Sequence, residues 1–281
     1  MTTRPVVVKI GGAEGNDAVP LLEDLRARVV DGGERIVVVH GGSGETDRLA
    51  HALGRPPRTL VSPQGHESRD VDRDALETFA MATALVNRRL VESARGLGLD
   101  AFGLSGLDGG IVRARRKEAV RAVVDGRDRI VRDQWTGRVI GVRAEILRGI
   151  LARDVVPFVA PLAAGEGGEM LNVDGDRLAA ALAVALDARA LVILSNVEGL
   201  RADPADPAST LRELDLSQLD LAHRAAAGRM KRKVLAVEEA LLGGVPRAII
   251  ASSAAPRPLS TALAGGGTQF RRAPAEQEMA R

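Results

Sequence analysis

Four lysines stand against 35 arginines in this chain: Lys9, Lys117, Lys231 and Lys233. So arginine-heavy a composition makes each lysine a candidate for work that a guanidinium does poorly. A compact, mobile ammonium can follow a moving phosphoryl group, whereas the guanidinium fork fixes a planar oxyanion. Lys9 closes an apolar run and opens a glycine pair in PVVVKIGG, and Lys231 and Lys233 lie together in GRMKRK. Lys117 ends the basic run VRARRK, where chance retention on the surface explains it equally well.

Two glycine pairs follow strand-like runs, Gly11-Gly12 after VVVKI and Gly41-Gly42 after IVVVH. Ligands of parallel α/β sheets bind at the carboxyl ends of the strands. Two bare loops side by side there would offer backbone N–H groups to one anion. Neither loop is a Walker or GxGxxG motif, and a pair of ordinary strand-to-helix turns is the bland alternative. The string Asn172-Val173-Asp174-Gly175-Asp176 opens a helical pattern. One carboxylate suffices to cap a helix; the surplus lets Asp176 pair with lysines while Asn172 contacts a substrate. Two lysines, backbone amides, a magnesium ion and an organising aspartate are a sufficient kit for phosphoryl transfer. In that reaction a protein chiefly positions the reactants and neutralises the equatorial oxygens.

The elements that must hold these groups alternate. Val6–Ile10 and Ile36–His40 read as buried parallel strands, with a helix over 18–30 between them. Residues 72–90 form a helix capped by Asp72, and 99–104 a strand. Over 110–138 the pattern shifts to hairpins. A helix over 142–152 and a strand over 155–160 follow, then a helix over 173–186 and a strand over 190–195. Helices at 216–227 and 230–242, a strand over 247–251 and a short last helix complete an α/β sandwich with a mostly parallel sheet. The glycine-rich AAGEGGE, 163–169, is the expected boundary, dividing residues 1–165 from 166–281.

Composition narrows the class. Hydrophobic residues make up 45% but aromatics only 2%, so Val, Leu, Ile and Ala must build the core. A net charge of +2 and so few aromatic rings argue against nucleic acid as the partner. With no cysteine there is no disulfide, thiolate metal site or cysteine nucleophile. A strand-like run within five residues of the start and the lack of a long apolar stretch point to a cytoplasmic protein without signal peptide or membrane span. The histidines His40, His51, His66 and His223 show no metal spacing. His40, ending a strand, reads as structural, and His66 lies near enough to Arg69 to help recognise a carboxylate.

Together, VVVKIGG, VVHGGSGETDRL, SRDVDRDALETF, GLSGLDGG, NVDGDRLAAALA, LSNVEGL and GRMKRKV resemble the amino acid kinase family, and within it the acetylglutamate kinase branch. The likeness runs from Val6 to about Thr268. It implies a three-layer αβα sandwich, commonly dimeric, that uses ATP with Mg2+ to phosphorylate a carboxylate to an acyl phosphate. It implies that Lys9 and Lys233 flank the transferred phosphoryl group and that Asp176 holds them. Gly12, Gly41 and Gly42 would be the backbone donors. Arg69 would grip the substrate α-carboxylate, with Asn172 and Ser43 as further substrate contacts. The nucleotide would fall to Gly11, Ser195, Asn196, Gly199, Leu200, Lys231 and Lys233. Where the family carries a hydroxyl two residues after the substrate arginine, this chain has Val71.

GRPPR, HESRDVDR and VRARRK further resemble the kinases of the carrier-protein lysine pathway. Those act on α-aminoadipate or glutamate whose amino group is masked by a small acidic carrier protein of the LysW type. Charge supports this separately. Between Arg113 and Arg138, nine basic residues face four acids, and complementary charge steers an acidic partner. Arg113, Arg115, Arg116 and Lys117 are the expected docking residues, and Trp135 a packing anchor. A homodimer is expected, without an N-terminal arginine-sensing helix. An ordinary acetylglutamate kinase is the alternative, and a catalytically silent binding module the rival from another class.

Overall fold

A computed structural model describes residues 4–12, 18–63, 67–124 and 126–272. The expectation for His66 falls outside them.

Eight strands form the central sheet. Their order is Glu213–Asp215, Thr268–Arg271, Arg247–Ser252, Ala190–Ser195, Val6–Ile10, Ile36–His40, Val156–Ala160 and Ala101–Ser105. Neighbours run parallel except for Thr268–Arg271 against Arg247–Ser252. The inner strands are apolar almost throughout because both faces are covered. On one face Val7, Val37, Val39, Leu191 and Ile193 pack beneath the helices Ala144–Leu151, Gly175–Ala185 and Met230–Leu242. On the other, Val6, Val8, Ile36, Val38 and Val192 meet Val19–Arg26, Arg73–Gly96 and Pro258–Leu263. The expected three-layer sandwich follows directly. Among the described residues no helix is long and apolar enough to cross a membrane.

Period-two alternation decides where polar side chains emerge at the sheet's carboxyl edge. Lys9 shares the face of Val7, toward helix Gly175–Ala185. His40 shares the face of Ile36 and Val38, toward helix Arg73–Gly96. Adjacent strands pair Ile10 with His40 and Lys9 with Val39, so the Lys9 and His40 side chains leave the sheet one residue apart and on opposite faces.

Two four-stranded sheets lie outside this frame, one containing Val112–Arg116 paired with Gly137–Val142, the other the hairpin Ala119–Val124 with Arg127–Arg132. The expected hairpins over 110–138 are therefore present. The helix beginning at Arg73 starts as expected, with the Asp72 carboxylate accepting from Ala75 N at 2.8 Å, but runs on to Gly96. The AAGEGGE stretch, where the boundary is expected, has a defined structure. It is the tip of a hairpin between Leu162–Ala164 and Met170–Asn172, closed by Gly165 N donating to Glu169 O at 2.7 Å. The Glu169 carboxylate accepts from Gly167 N at 2.9 Å and pins the turn. The central sheet is continuous across this point.

Candidate active site

Helix Gly175–Ala185 begins at the carboxyl edge of the sheet, and its first turn carries Asp176. Its N-cap is Asp174, whose carboxylate accepts from Asp176 N at 3.0 Å and Arg177 N at 3.1 Å. The capping need is thus met by Asp174, which leaves the Asp176 carboxylate for the lysines. Lys9 Nζ lies 2.8 Å from one of its oxygens, and Lys233 Nζ donates to the other at 3.0 Å. Lys233 comes from the first turn of Met230–Leu242, which packs against Gly175–Ala185. All three side chains are about nine-tenths buried, at 10%, 8% and 11% exposure for Lys9, Asp176 and Lys233.

Burying charge in such a place is costly unless every charge has a partner. Burial alone would raise the Asp176 pKa, but Lys9 and Lys233 outweigh it and hold the carboxyl below its ordinary range. For Lys233 burial and repulsion from Lys9 win, and its pKa falls despite Asp176. Two cations share one anion, so the trio carries an excess positive charge aimed at the sheet edge.

The glycine loops meet above this trio. A Cβ on Gly12 would lie 2.1 Å from Gly42 N, and one on Gly41 would lie 2.6 Å from Gly12 N. Only glycine permits two backbones to touch in this way. Ser43 joins them further, its hydroxyl donating to Gly12 O at 3.0 Å while Gly44 N donates to the same oxygen at 2.7 Å. Gly42 is the N-cap of helix Ser43–Ala52, so that helix's N-terminus also faces the loops. Such an N-terminus favours an anion.

The remaining expected residues divide. Arg69 pairs with Asp47 at 2.8 Å, and Asp47 lies one helical turn beyond Ser43, which brings the arginine over the helix that starts at the glycine loop. Asn172 ends the strand Met170–Asn172, two residues before the Asp174 cap, and its N–H donates to Trp135 O at 3.0 Å. On the other side of the edge, Ser195 ends its strand and its carbonyl accepts from Ser253 N at 2.7 Å. Asn196 beside it and Lys231 on its helix are exposed, and Gly199 is buried against Thr268. Leu200 belongs to the core, and its N–H donates to Thr268 Oγ1 at 2.8 Å, so neither its side chain nor its amide faces the edge.

The basic stretch is less uniform than its composition suggests. Arg113 and Arg115 are exposed, with Arg115 reaching Glu166 at 3.4 Å. Arg116 is committed elsewhere: its guanidinium stacks 3.7 Å from the Trp135 ring centroid and donates to Gln134 O and the Asp133 carboxylate. Arg73 lies over the same ring at 4.8 Å, and the indole N–H donates to Asp133 at 3.0 Å. Trp135 is the packing anchor expected of it, and Arg116 is part of that anchor. Lys117 interacts with Arg177, Arg232 and Asp174, close to the start of the Asp176 helix. Desolvation and the two arginines lower its pKa, with Asp174 opposing them.

Sequence reasoning missed Asp47 and Asn87. Asn87 carried a signal, being a polar residue among Leu76, Thr83, Leu90 and Ala94 on the buried face of its helix.

A family model described as the amino acid kinase family matches residues 4–252. A protein of Deinococcus radiodurans named [LysW]-aminoadipate kinase is 45% identical over 264 residues, covering 94% of this chain and 90% of that one. Its namesake in Thermus thermophilus is 44% identical over 269 residues, covering 95% and 100%. Among solved structures, N-acetylglutamate synthase of Neisseria gonorrhoeae, complexed with coenzyme A and N-acetyl-glutamate, superposes with a TM-score of 0.77 at 26% identity. That match covers 96% of this chain but 60% of the synthase. Giardia lamblia carbamate kinase bound to AMP-PNP shares the fold at a TM-score of 0.66 and 17% identity, over 97% of this chain and all of that one.

Proposed function

Because this chain belongs to the amino acid kinase family, we propose that it transfers the terminal phosphoryl group of MgATP to the side-chain carboxylate of a carrier-linked acidic amino acid, α-aminoadipate or glutamate. The observation that carries the chemistry is the Lys9–Asp176–Lys233 trio beneath two touching glycine loops. The carrier rests on the two relatives named as [LysW]-aminoadipate kinases, each aligned with most of this chain.

The reaction divides among these groups. A carboxylate oxygen of the substrate attacks the γ-phosphorus, and the bond to the ADP oxygen breaks in line with it. Charge accumulates on the equatorial oxygens and on the leaving oxygen. Lys9 and Lys233 neutralise it, while Asp176 keeps both ammoniums at fixed positions. The N–H groups of Gly12 and Gly42 and the N-terminus of Ser43–Ala52 supply further partial positive charge. Arg69 receives the substrate's α-carboxylate, and Asn172 and Gly41 close on the acyl chain. Magnesium enters as part of the MgATP substrate, and we assign it no protein ligand.

We divide the roles by halves of the chain. Residues 1–165 hold the amino acid and carrier and pair two copies, and residues 166–281 hold the nucleotide. Gly11, Ser195, Asn196, Gly199 and Lys231 line the nucleotide side, and Arg113, Arg115 and Lys117 the carrier side.

An ADP-release assay with MgATP tests this, comparing free N-acetylglutamate with carrier-linked aminoadipate and carrier-linked glutamate. Turnover confined to a conjugate is the expected result and ranks the two chain lengths. Turnover on free acetylglutamate alone would make this an acetylglutamate kinase, and no turnover on any of them would make it a binding module.

A further inference from the structure

His40 is the last residue of strand Ile36–His40, is 1% exposed, and stands directly before the Gly41-Gly42 loop. Both ring nitrogens are engaged. Nδ1 lies 2.9 Å from Gly41 O, and Nε2 lies 2.9 Å from Asn87 Nδ2. Asn87 is 2% exposed, and its amide nitrogen also reaches Phe158 O at 2.8 Å and Leu104 O at 3.4 Å. A flipped amide would set its oxygen against two carbonyl oxygens, so the nitrogen must face them. The same nitrogen then donates to His40 Nε2, which must be the unprotonated acceptor. The ring proton therefore sits on Nδ1 and is donated to Gly41 O.

Three observations agree that this arrangement is built. Asn87 Oδ1 has no hydrogen-bond partner among the described residues, a cost accepted to aim the nitrogen correctly. A Cβ on Gly103 would lie 2.0 Å from that oxygen, so the neighbouring strand leaves a gap for it. Burial pushes the His40 pKa down to about 4, against the Gly41 hydrogen bond and with help from Lys9, so the ring stays neutral near pH 7.

In a trans peptide the carbonyl and the following N–H point in opposite directions. Fixing Gly41 O therefore fixes where Gly42 N–H points. From this we propose that His40, held by Asn87, is a positioning residue that aims the Gly42 amide at the transferred phosphoryl group. The inference rests on the kinase reading for what the loop binds, but not for the geometry.

Two isosteric variants separate this role from mere packing. The amide nitrogen of asparagine can occupy the place of the donating Nδ1, and the amide oxygen of glutamine the place of the accepting Nε2. His40→Asn should preserve the bond to Gly41 O and keep most of the turnover. His40→Gln should keep the Asn87 contact, lose the Gly41 bond and lower kcat by about 100-fold, the scale for one misplaced oxyanion donor. KM for the conjugate should change little in either. Equal losses in both variants would overturn the proposal. Nitrogen NMR of the 15N-histidine-labelled wild type needs no turnover: a proton on Nδ1 supports the assignment, and one on Nε2 overturns it. Should the wild type phosphorylate no conjugate, the kinase reading fails by itself and the tautomer still decides the geometry.

Discussion

Asp176 balances two buried ammoniums, and this makes its removal informative in two ways. Asp176→Asn leaves Lys9 and Lys233 facing each other without a counter-charge, which should destabilise the fold by about 3–5 kcal/mol as well as abolish turnover. The pH dependence has a definite sign. The folded-state pKa is depressed, so the stabilisation is fully present above the unfolded carboxyl value of about 3.9. It is lost as pH falls through the lower folded value. Acid titration of the wild type should therefore show a loss of stability in that window that Asp176→Asn lacks; parallel acid limbs would contradict the assignment. The lysines should behave differently from the aspartate. Lys9→Ala or Lys233→Ala removes a charge that acts mainly in the transition state, so kcat should fall by about 100-fold or more while MgATP affinity changes far less. Matched losses in binding and turnover would place them in ground-state binding instead.

At the level of elements, the two glycine loops depend on each other. Gly12→Ala must part them, because its Cβ has no space beside Gly42 N. Activity and melting temperature should both drop. Gly141→Ala, with open space around the new methyl, serves as the control and should leave both nearly unchanged. A Gly12→Ala enzyme as active as the control would mean that the loops are not packed as described. These loops were legible in the sequence because glycine after an apolar run marks both the strand end and the bare backbone. The inner strands were legible for a similar reason, since burial on both faces writes itself as continuous Val and Ile, whereas Met230–Leu242 shows one buried face through Val234, Val237 and Leu241 at helical spacing. Short pairings such as Thr59–Val61 with Glu67–Arg69, or the edge strand Glu213–Asp215, were not. Three-residue strands are too short to show alternation, and distant partners determine them. The Ala163–Glu169 stretch was only half legible: glycines that suggest a boundary equally suit the hairpin tip found there.

At the scale of the whole molecule, the proposed carrier docking and the proposed pairing of two copies can each be tested on an exposed patch. Reversing Arg113 and Arg115 to Glu should raise KM for a carrier conjugate by about tenfold, weaken its salt dependence and spare kcat. Arg116→Ala should lower thermal stability, because that side chain is stacked and bonded rather than free. An unchanged KM in the double reversal would remove the docking face. Met81 and Leu85, a turn apart on Arg73–Gly96, are 50% and 38% exposed, and Phe102 on the edge strand is 52% exposed. If two copies pair along this edge, Met81→Glu with Phe102→Asp should convert a dimer to a monomer in light scattering. The stacked indole has a further use. Trp135 is the chain's one tryptophan, and the chain has no tyrosine. With two guanidiniums over its ring and its own carbonyl bonded to the Asn172 amide, it joins the basic stretch to the strand that leads into the helix carrying Asp176. The enzyme thus carries an intrinsic optical reporter whose emission originates from a single place, and if the basic stretch is the docking face, an unlabelled carrier should change that emission on binding without altering either protein.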